Sequence, residues 1–501
     1  MNTAVWPDAA PSLTRGRAGT ARGHGPSAEP VLVLNCGSSS IKFALFDASV
    51  TPLPRQPLWA GQVEGIGGKS PRLVQAGSPP TALVLDAQKP YDAALRHVRA
   101  TVVAQTGGRP PAAVVHRVVH GGSKYAAPVR VDHDVLADLK GYIELAPLHQ
   151  PYALQAVETL LAEIPDLLQV ACFDTAFHRT LPAVEQMLPL PYALFERGIR
   201  RYGFHGLSYE YMAVALAERH GDLARRRTIV AHLGSGASLC AMQGLESVAT
   251  TMGFSALDGV MMGTRCGAID PGVLLHLMQA DGLDVPRLTR LLYHESGLLG
   301  VSGLSSSPQP LLEVEHRDPR ARFALELYVR RIVREVGALT AVLGGLDMLA
   351  FTAGVGEHSA ALRERICSAL AWLGIDLDGD ANRANAPVIS MPSSRVRWRS
   401  SRPTRSGSAR STPCRSSGGC HEPTGRNQVS EPSLVRAQAA RRCESRCIGG
   451  TPREPRHRPA HRVLVGARAA RRDRARAHDR GRRSAGRMRP TTGWPFAWRE
   501  T

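Results

Sequence analysis

The sequence predicts an α/β protein in which helices pack on central β-sheets. Between residues 30 and 395, short apolar runs bounded by turn or polar residues alternate with longer amphipathic stretches, and such alternation is typical of strands interleaved with helices. The predicted strands are residues 31–34, 43–46, 114–119, 168–173, 228–233 and 348–352. The predicted helices include residues 152–161, 209–219 and 321–343.

Length and composition exclude several classes of protein. A chain of 501 residues is long enough for two domains and a large core. No run of about 18 apolar residues is present, and residues 1–29 lack the apolar core of a signal peptide, so neither a membrane span nor export is expected. The nine cysteines have no framework spacing, which indicates reduced thiols in a cytoplasmic protein.

The net charge of +19 comes from one part of the chain. Residues 396–501 contain 26 arginines, no lysine and seven acidic residues, so residues 1–395 are electrically balanced. Residues 1–29 and 397–501 lack an amphipathic pattern and are predicted to be disordered. Because the excess charge lies in that tail and not in the folded part, nucleic-acid binding is not expected as an evolved function.

The segment from Asn35 to Lys42 predicts a phosphate-binding turn between two strands. It contains Gly37 and three serines, so backbone N–H groups can approach a phosphate closely and hydroxyls add donors. Lys42 adds a positive charge, and Asn35, where the first strand ends, could bind a magnesium ion directly or through water. A serine-rich hairpin that binds no ligand is the alternative.

Arg117 and Asp174 follow two further apolar runs, and α/β folds place their chemistry at strand ends. Arg117 could hold a small carboxylate or phosphate in a bidentate contact, or it could be a surface arginine. Asp174 could act as a base, bind a metal or orient a carboxylic substrate, or it could simply cap a helix. For His149, which lies between Pro147 and Pro151, a structural role is favoured.

The second half of the chain carries loops that suit a nucleotide. His205 stands in a loop between two glycines, Arg265 lies in another glycine-rich loop, and residues 232–238 repeat the style of the opening turn. Residues 354–358 form a glycine-rich turn before a predicted helix, whose N-terminus would favour anions. Together these features suit phosphoryl transfer, in which positioning and charge neutralisation supply most of the catalysis.

In their order and spacing, these motifs resemble those of the acetate/propionate kinase family. The resemblance covers about residues 31–396 and is carried by residues 35–42, 116–122, 173–178, 202–206, 261–267 and 351–357. It implies two actin-like ATPase (ribonuclease H-like) domains of βββαβαβα topology around a central cleft, at residues 30–173 and 174–396. It also implies a homodimer that reversibly transfers the γ-phosphoryl group of ATP to acetate, giving acetyl phosphate and ADP, with Mg²⁺, which Mn²⁺ could replace.

The resemblance further implies roles for individual residues. Asp174 would be the catalytic carboxylate, and His205 and Arg265 would stabilise charge on the phosphoryl group during transfer. The implied ligand contacts are Asn35 with the metal, Arg117 with the substrate carboxylate and, with ATP, Lys42, His232, Leu233, Gly234, Ser235, Gly236, Gly354, Val355, Gly356, Glu357 and His358.

The chain also departs from the family pattern. Ser307-Pro308-Gln309 replaces the Asp-Met-Arg that is usual near the nucleotide, which leaves nucleotide affinity and donor choice open. Leu207 and Tyr209 replace a threonine and a histidine after the His205 loop. A propionate or butyrate kinase stays an alternative, because substrate choice depends on the shape of a pocket that the sequence does not reveal.

The largest departure is at the end of the match. There the family continues through a strand into Pro-Thr-Asp/Asn-Glu-Glu, including a glutamate that helps to hold Mg²⁺, and a closing helix, whereas residues 399–406 read Arg-Ser-Ser-Arg-Pro-Thr-Arg-Ser. Codons allowed for residues 400–406, read one base earlier, can encode Val-Ile-Pro-Thr-Asp-Glu-Glu. We therefore hypothesise a frameshift near residues 397–399, which makes a catalytically impaired relative the second alternative. Sequencing the gene tests the hypothesis, and an incompatible codon in this stretch contradicts it.

Overall fold

The computed structural model describes residues 29–50 and 54–400. The predicted N-terminal extension up to residue 28 and the arginine-rich tail beyond residue 400 lie outside the described residues. The strands of the described part are β1 Pro30–Cys36, β2 Ser40–Asp47, β3 Trp59–Glu64, β4 Arg72–Gln75, β5 Thr81–Ala82, β6 Ala113–Val118, β7 Val129–Arg130, β8 Leu168–Phe173, β9 Thr228–Leu233, β10 Ala237–Gln243, β11 Glu246–Thr250, β12 Met348–Thr352 and β13 Arg397–Ser400.

Helices connect these strands and cover the sheets. They are α1 Pro90–Gln105, α2 His133–Lys140, α3 Gln150–Glu163, α4 Ala183–Gln186, α5 Tyr192–Glu196, α6 Gly206–His220, α7 Asp222–Arg225, α8 Pro271–Gln279, α9 Val285–His294, α10 Gly297–Ser302, α11 Pro308–Val314, α12 Pro319–Leu343, α13 Ala353–His358, α14 Ala360–Ala369 and α15 Gly379–Arg383. Short 3₁₀ turns occur at Ile143–Leu145, Ala176–Thr180 and Ala371–Leu373. Within the described ranges, no helix combines the length and the apolar character needed to cross a membrane.

The strands form two sheets with a repeated topology. The first has the order β5-β4-β3-β2-β1-β6-β8-β7, and the second has the order β11-β10-β9-β12-β13. In the first sheet, β1, β2 and β3 are antiparallel neighbours, and β1 pairs in parallel with β6, which pairs in parallel with β8. In the second sheet, β9, β10 and β11 are antiparallel neighbours, and β9 pairs in parallel with β12, which pairs in parallel with β13. This repetition confirms the predicted α/β class and the duplicated arrangement.

The strand predictions in the interior are confirmed, and the second sheet extends further than expected. β8, β9 and β12 have the predicted bounds, because a run of five or six buried apolar residues fits a central strand. Arg397–Ser400, which the sequence analysis places in the tail, forms β13 beside β12. Pairing is made by the backbone, so a buried strand edge can be covered by residues that lack a strand-like pattern.

Helix α6 lies between the two sheets and holds the residue that precedes it, His205, in place. Its residues Leu207, Met212 and Leu216 are buried in one cluster with Val115 of the first sheet and Met348 of the second. A helix with apolar residues around most of its circumference is stable only in such an interior position. Because α6 is held on both sides, the residue immediately before it, His205, has a fixed place relative to both sheets.

Candidate active site

A cavity of about 730 Å³ lies where the strand ends of both sheets meet α6. It brings together most of the residues that the sequence singles out, although they come from distant parts of the chain. The predicted site residues that line it are Asn35, Lys42, Arg117, Asp174, His205, His232, Gly234, Ser235, Gly236, Arg265, Gly354, Val355 and His358.

Three predicted nucleotide contacts do not line this cavity. Leu233 follows His232 on β9, and since successive side chains of a strand face opposite ways, Leu233 points into the core of the second sheet. Gly356 is buried within α13. Glu357 is also buried, and its Oε1 accepts hydrogen bonds from the Thr352 hydroxyl at 3.2 Å and the backbone N–H of residue 353 at 2.9 Å. It therefore stabilises the junction between β12 and α13.

An ion pair occupies the first-sheet side of the cavity. Arg117 lies on β6 and lines the cavity. Its Nε donates to both oxygens of the Asp174 carboxylate, at 3.1 and 2.9 Å. Its Nη1 donates to Asn35 Oδ1 at 3.1 Å. Burial alone would lower the pKa of Arg117, but the Asp174 carboxylate raises it, so the guanidinium stays charged. One guanidinium thus joins the ends of β1, β6 and β8.

The His205 backbone is held in an unusual conformation. Its φ of 59° is left-handed, which is uncommon for a residue other than glycine. Two contacts support it: the Gly206 N–H donates to the Asp174 carbonyl at 2.8 Å, and His178 Nε2 donates to the Phe204 carbonyl at 3.0 Å. Strained backbone of this kind persists where the surroundings fix it, commonly at functional sites.

Two stacked histidines of the cavity, His205 and His232, are neutral. The rings of His205 and His232 stack with their centroids 4.2 Å apart. Burial lowers the pKa of His232 to about 4, and burial together with the nearby His232 and Arg117 lowers the pKa of His205 well below its usual value. These rings therefore contribute hydrogen bonds rather than charge at neutral pH.

His149 is a site residue that the sequence analysis did not choose. Its Nε2 accepts a hydrogen bond from Arg265 Nη2 at 3.2 Å, and burial followed by the charge of Arg265 lowers the pKa of His149 to about 4. Arg265 also donates through Nη1 to the carbonyl of Ala256 at 3.1 Å. The two flanking prolines of His149 suggested a fixed turn, but only the fold brings that turn to Arg265.

Glycine turns form the second-sheet side of the cavity. The β9–β10 turn is closed by the Gly234 N–H, which donates to the Gly236 carbonyl at 3.0 Å. A Cβ on Gly236 would lie 3.4 Å from His205 Nε2 and 3.5 Å from Arg265 Nη1. Glycine therefore leaves room for a ligand where these two donors converge. The predicted turn at residues 354–358 instead belongs to the short helix α13, where the Gly354 carbonyl accepts a hydrogen bond from His358 Nδ1 at 2.9 Å.

The lining residues give the cavity a net positive charge. Among the described residues that line it, Lys42, Arg117 and Arg265 face one carboxylate, that of Asp174. The buried rings of His149, His205 and His232 are uncharged. Such a site attracts anions, and its glycine turns allow backbone N–H groups to approach phosphate oxygens. Two sheets of repeated topology around such a cavity define a phosphotransferase with the actin-like ATPase fold.

Comparison with known proteins places the chain within that class. The model of the acetokinase family matches residues 30–400. An acetate kinase of Rhodopseudomonas palustris (strain TIE-1) is 48% identical over 371 residues, which cover 73% of this chain and 93% of the relative. An acetate kinase of Nitrobacter hamburgensis is 47% identical over 374 residues, 74% of this chain and 91% of the relative. The chain belongs to the acetokinase family.

Solved structures support the same fold. A propionate kinase from Francisella tularensis superposes with a TM-score of 0.71 at 31% identity, covering 82% of this chain and 98% of that protein. The acetate kinase of Porphyromonas gingivalis superposes with a TM-score of 0.70 at 33% identity, covering 83% of this chain and all of that protein.

Proposed function

We propose that this protein is an acetate kinase, which transfers the γ-phosphoryl group of ATP to acetate and forms acetyl phosphate and ADP reversibly. The observation that carries the proposal is the meeting of Arg117, Asp174, His205 and Arg265 with two glycine turns in one cavity. An acetate oxygen attacks the γ-phosphorus while the bond to the β–γ bridging oxygen breaks, and ADP leaves with that electron pair. Acetate is already ionised at neutral pH, so the step needs no general base.

This chemistry gives Asp174 a positioning role. Because no proton has to be removed from the nucleophile, a carboxylate is most useful for what it holds. Asp174 fixes the Arg117 guanidinium, which in turn would bind the acetate carboxylate. His205 and Arg265, whose donor atoms converge on Gly236, would stabilise charge on the three equatorial oxygens of the group in transfer.

The nucleotide would lie on the second-sheet side of the cavity. The Gly234–Gly236 turn and helix α13, through Gly354 and His358, line the cavity, and Lys42 lines it from the first sheet. Backbone N–H groups with one lysine form a typical cradle for phosphates. The Ser307–Gln309 segment also lines this cavity, so it is placed to influence nucleotide binding.

A small apolar cavity favours acetate over longer acids. It has a volume of about 10 Å³, and its lining includes Val119, Leu148, Phe204, Ala256 and the His149 that also lines the main cavity. A volume of roughly 10–15 Å³ holds about one water-sized group, which is the size of a methyl. A propionate or butyrate chain would need this pocket to enlarge.

Magnesium is proposed as the metal, bound together with the phosphates of ATP. The Asn35 amide oxygen and the Asp174 carboxylate both accept hydrogen bonds from Arg117, so these two oxygen donors lie close together. Mg²⁺ usually takes one or two carboxylates plus phosphate oxygens and waters. No group of three or more His, Cys, Asp or Glu side chains that could hold a metal occurs in the described ranges. The ion, when bound, neutralises phosphate charge.

We also propose a homodimer in the cytoplasm. Helix α8 is rich in apolar residues, yet none of them is buried by the described residues: Val273, Leu275 and Met278 are each at least 42% exposed. Leu275 and Met278, three residues apart, share a helix face that a second copy would cover. The five cysteines of the described part form no disulfide with one another, which fits a reducing compartment.

A hydroxamate assay for acyl phosphates tests the proposed activity. The purified full chain is supplied with saturating Mg-ATP and with acetate, propionate or butyrate. We expect acetyl hydroxamate as the main product. Absence of product with all three acids contradicts an active enzyme, and a restored reading frame after residue 397 then distinguishes a defective tail from a wrong assignment. Preference for propionate would contradict the reading of the small apolar cavity.

A further inference from the structure

Behind His205, away from the cavity, two buried hydroxyl groups form a chain of hydrogen bonds. His205 Nδ1 lies 2.8 Å from Ser238 Oγ, and Ser238 Oγ lies 2.6 Å from the Tyr209 hydroxyl. Ser238 and Tyr209 are both fully buried. Tyr209 occupies α6 and Ser238 occupies β10, so the chain links the helix between the sheets to the second sheet.

The donor and acceptor roles in this chain follow from its far end. The Tyr209 phenol is protonated, since burial raises its pKa well above the usual value, and the buried proton needs an acceptor. Ser238 Oγ is within reach, so Tyr209 donates to Ser238 and the Ser238 hydroxyl donates in turn to His205 Nδ1. In the opposite direction the buried phenol proton would have no acceptor among the described residues, at a cost of about 1–3 kcal/mol.

The chain therefore determines which nitrogen of His205 carries the proton. A neutral imidazole has one N–H and one acceptor nitrogen, and Nδ1 is the acceptor here. Nε2 carries the proton on the cavity side, where it faces Gly236 beside Arg265 Nη1. We propose that Tyr209 and Ser238 are positioning residues, which hold His205 in the Nε2–H tautomer so that it donates a hydrogen bond to the phosphoryl group without carrying a charge.

This arrangement has a clear advantage at a crowded cationic site. Arg117 and Arg265 already supply positive charge, and both would repel a charged His205. A neutral N–H donor adds a directed hydrogen bond at the developing charge without that repulsion, and its orientation is set before the reaction. The role of His205 as a donor to the phosphoryl group rests on the proposed phosphoryl transfer, whereas the assignment of its tautomer does not.

Nitrogen NMR of the full chain, without substrates, tests the tautomer directly. Uniformly ¹⁵N-labelled protein gives distinct signals for protonated and unprotonated imidazole nitrogens, and the His205 pair is identified by its loss in H205N. We expect a protonated Nε2 and an unprotonated Nδ1 at pH 7. A protonated Nδ1, or a doubly protonated ring, would overturn the proposal whether or not the protein is active.

The functional arm compares Tyr209→Phe with Tyr328→Phe. Both variants remove one buried phenol hydroxyl, but the Tyr328 hydroxyl has no hydrogen-bond partner in the part of the chain that the structure describes, and it lies in the core of the second sheet. We expect Y209F to lower kcat roughly tenfold, to leave KM for ATP and acetate unchanged, and to give mixed tautomer signals at His205. Y328F should retain wild-type kcat and signals. Equal kcat in Y209F and wild type, with an unmixed tautomer, contradicts the role of Tyr209.

Discussion

The two sheets share one topology but contribute different chemistry to the cavity. The first sheet presents charged and amide side chains at its strand ends: Asn35, Lys42, Arg117 and Asp174. The second sheet presents glycine turns and the neutral His232. Under the proposed function, one copy of the duplicated scaffold would hold a substrate carboxylate and a metal by charge, while the other copy would hold a nucleotide by its backbone. The position of a strand end is inherited from the fold, but its chemistry is set by two or three residues.

The largest effect is expected when the ion pair of the first sheet is broken. Arg117→Ala removes the proposed acetate contact and leaves the buried Asp174 carboxylate unpaired, a change that typically costs about 3–5 kcal/mol. We expect kcat/KM for acetate to fall by about 10³-fold or more, together with a loss of stability measured by urea unfolding.

Arg227→Ala is the matched control for that variant. Arg227 forms a similar pair with Asp347 through Nε at 2.8 Å and Nη2 at 3.0 Å, but at the opposite end of β9 and partly exposed. Its loss should cost about 1 kcal/mol or less of stability and leave kcat unchanged. Equal activity losses in both variants would mean that Arg117 acts only through folding.

A second, smaller effect should follow when the second-sheet turn gains a side chain. Gly236→Ala places a methyl 3.4–3.5 Å from the donor atoms of His205 and Arg265. We expect kcat to fall by about 10- to 100-fold with little change in stability, because the methyl occupies space needed by the phosphoryl group. Gly337→Ala is the control: it lies in α12 with nothing near its Cβ, and there alanine should stabilise the helix by about 0.4–1 kcal/mol. Wild-type kinetics for G236A would exclude this turn from the reaction.

The buried histidines of both sheets predict that the folded state loses stability as the pH falls below 6.5. Burial lowers the pKa of His116 in the first sheet and of His232 in the second to about 4. A histidine in the unfolded chain binds protons near pH 6.5, so the unfolded state takes up more protons between pH 6.5 and 4. The free energy of unfolding should therefore decrease in this range by up to about 1.4 kcal/mol per pH unit for each such histidine. Urea unfolding at pH 7, 6 and 5 measures this, and equal values at all three would contradict it.

The smallest effect is expected at the rim of the nucleotide side. Gln309 stands where the family pattern has arginine, and its side chain contacts Glu313 at the surface. Gln309→Arg would add a charge there and should lower KM for ATP about two- to fivefold, since exposed charges contribute about 0.2–1 kcal/mol. Gln309→Met is the uncharged control. If both variants bind ATP equally well, charge at this rim does not influence the nucleotide.

Local pattern was sufficient for much of the fold and for most of the predicted residues that line the cavity. Strands β8, β9 and β12 have their predicted bounds because a central strand is a short buried apolar run, and such runs end where turn residues begin. Alternation along β9 could also have separated Leu233 from His232, since neighbouring side chains of a strand face opposite sides. The resemblance to a family then assigned roles that single motifs leave open.

Contacts between distant residues could not be read from the sequence. Arg117 and Asp174 are 57 residues apart, and His149 and Arg265 are 116 apart, so no local pattern links them. Strand order and packing decide these pairs, because they fix which strand ends are neighbours.

The sequence by itself determined the class of fold, the position of the glycine-rich segments and the charged residues available to the site, because hydrophobic period and turn chemistry are local properties. Only the tertiary structure decided which of these residues act together. It paired Arg117 with Asp174, brought His149 to Arg265, and placed Tyr209 and Ser238 behind His205. The physical reason is that hydrogen bonds and pKa values depend on distances of a few ångströms, which packing sets between residues far apart in the chain.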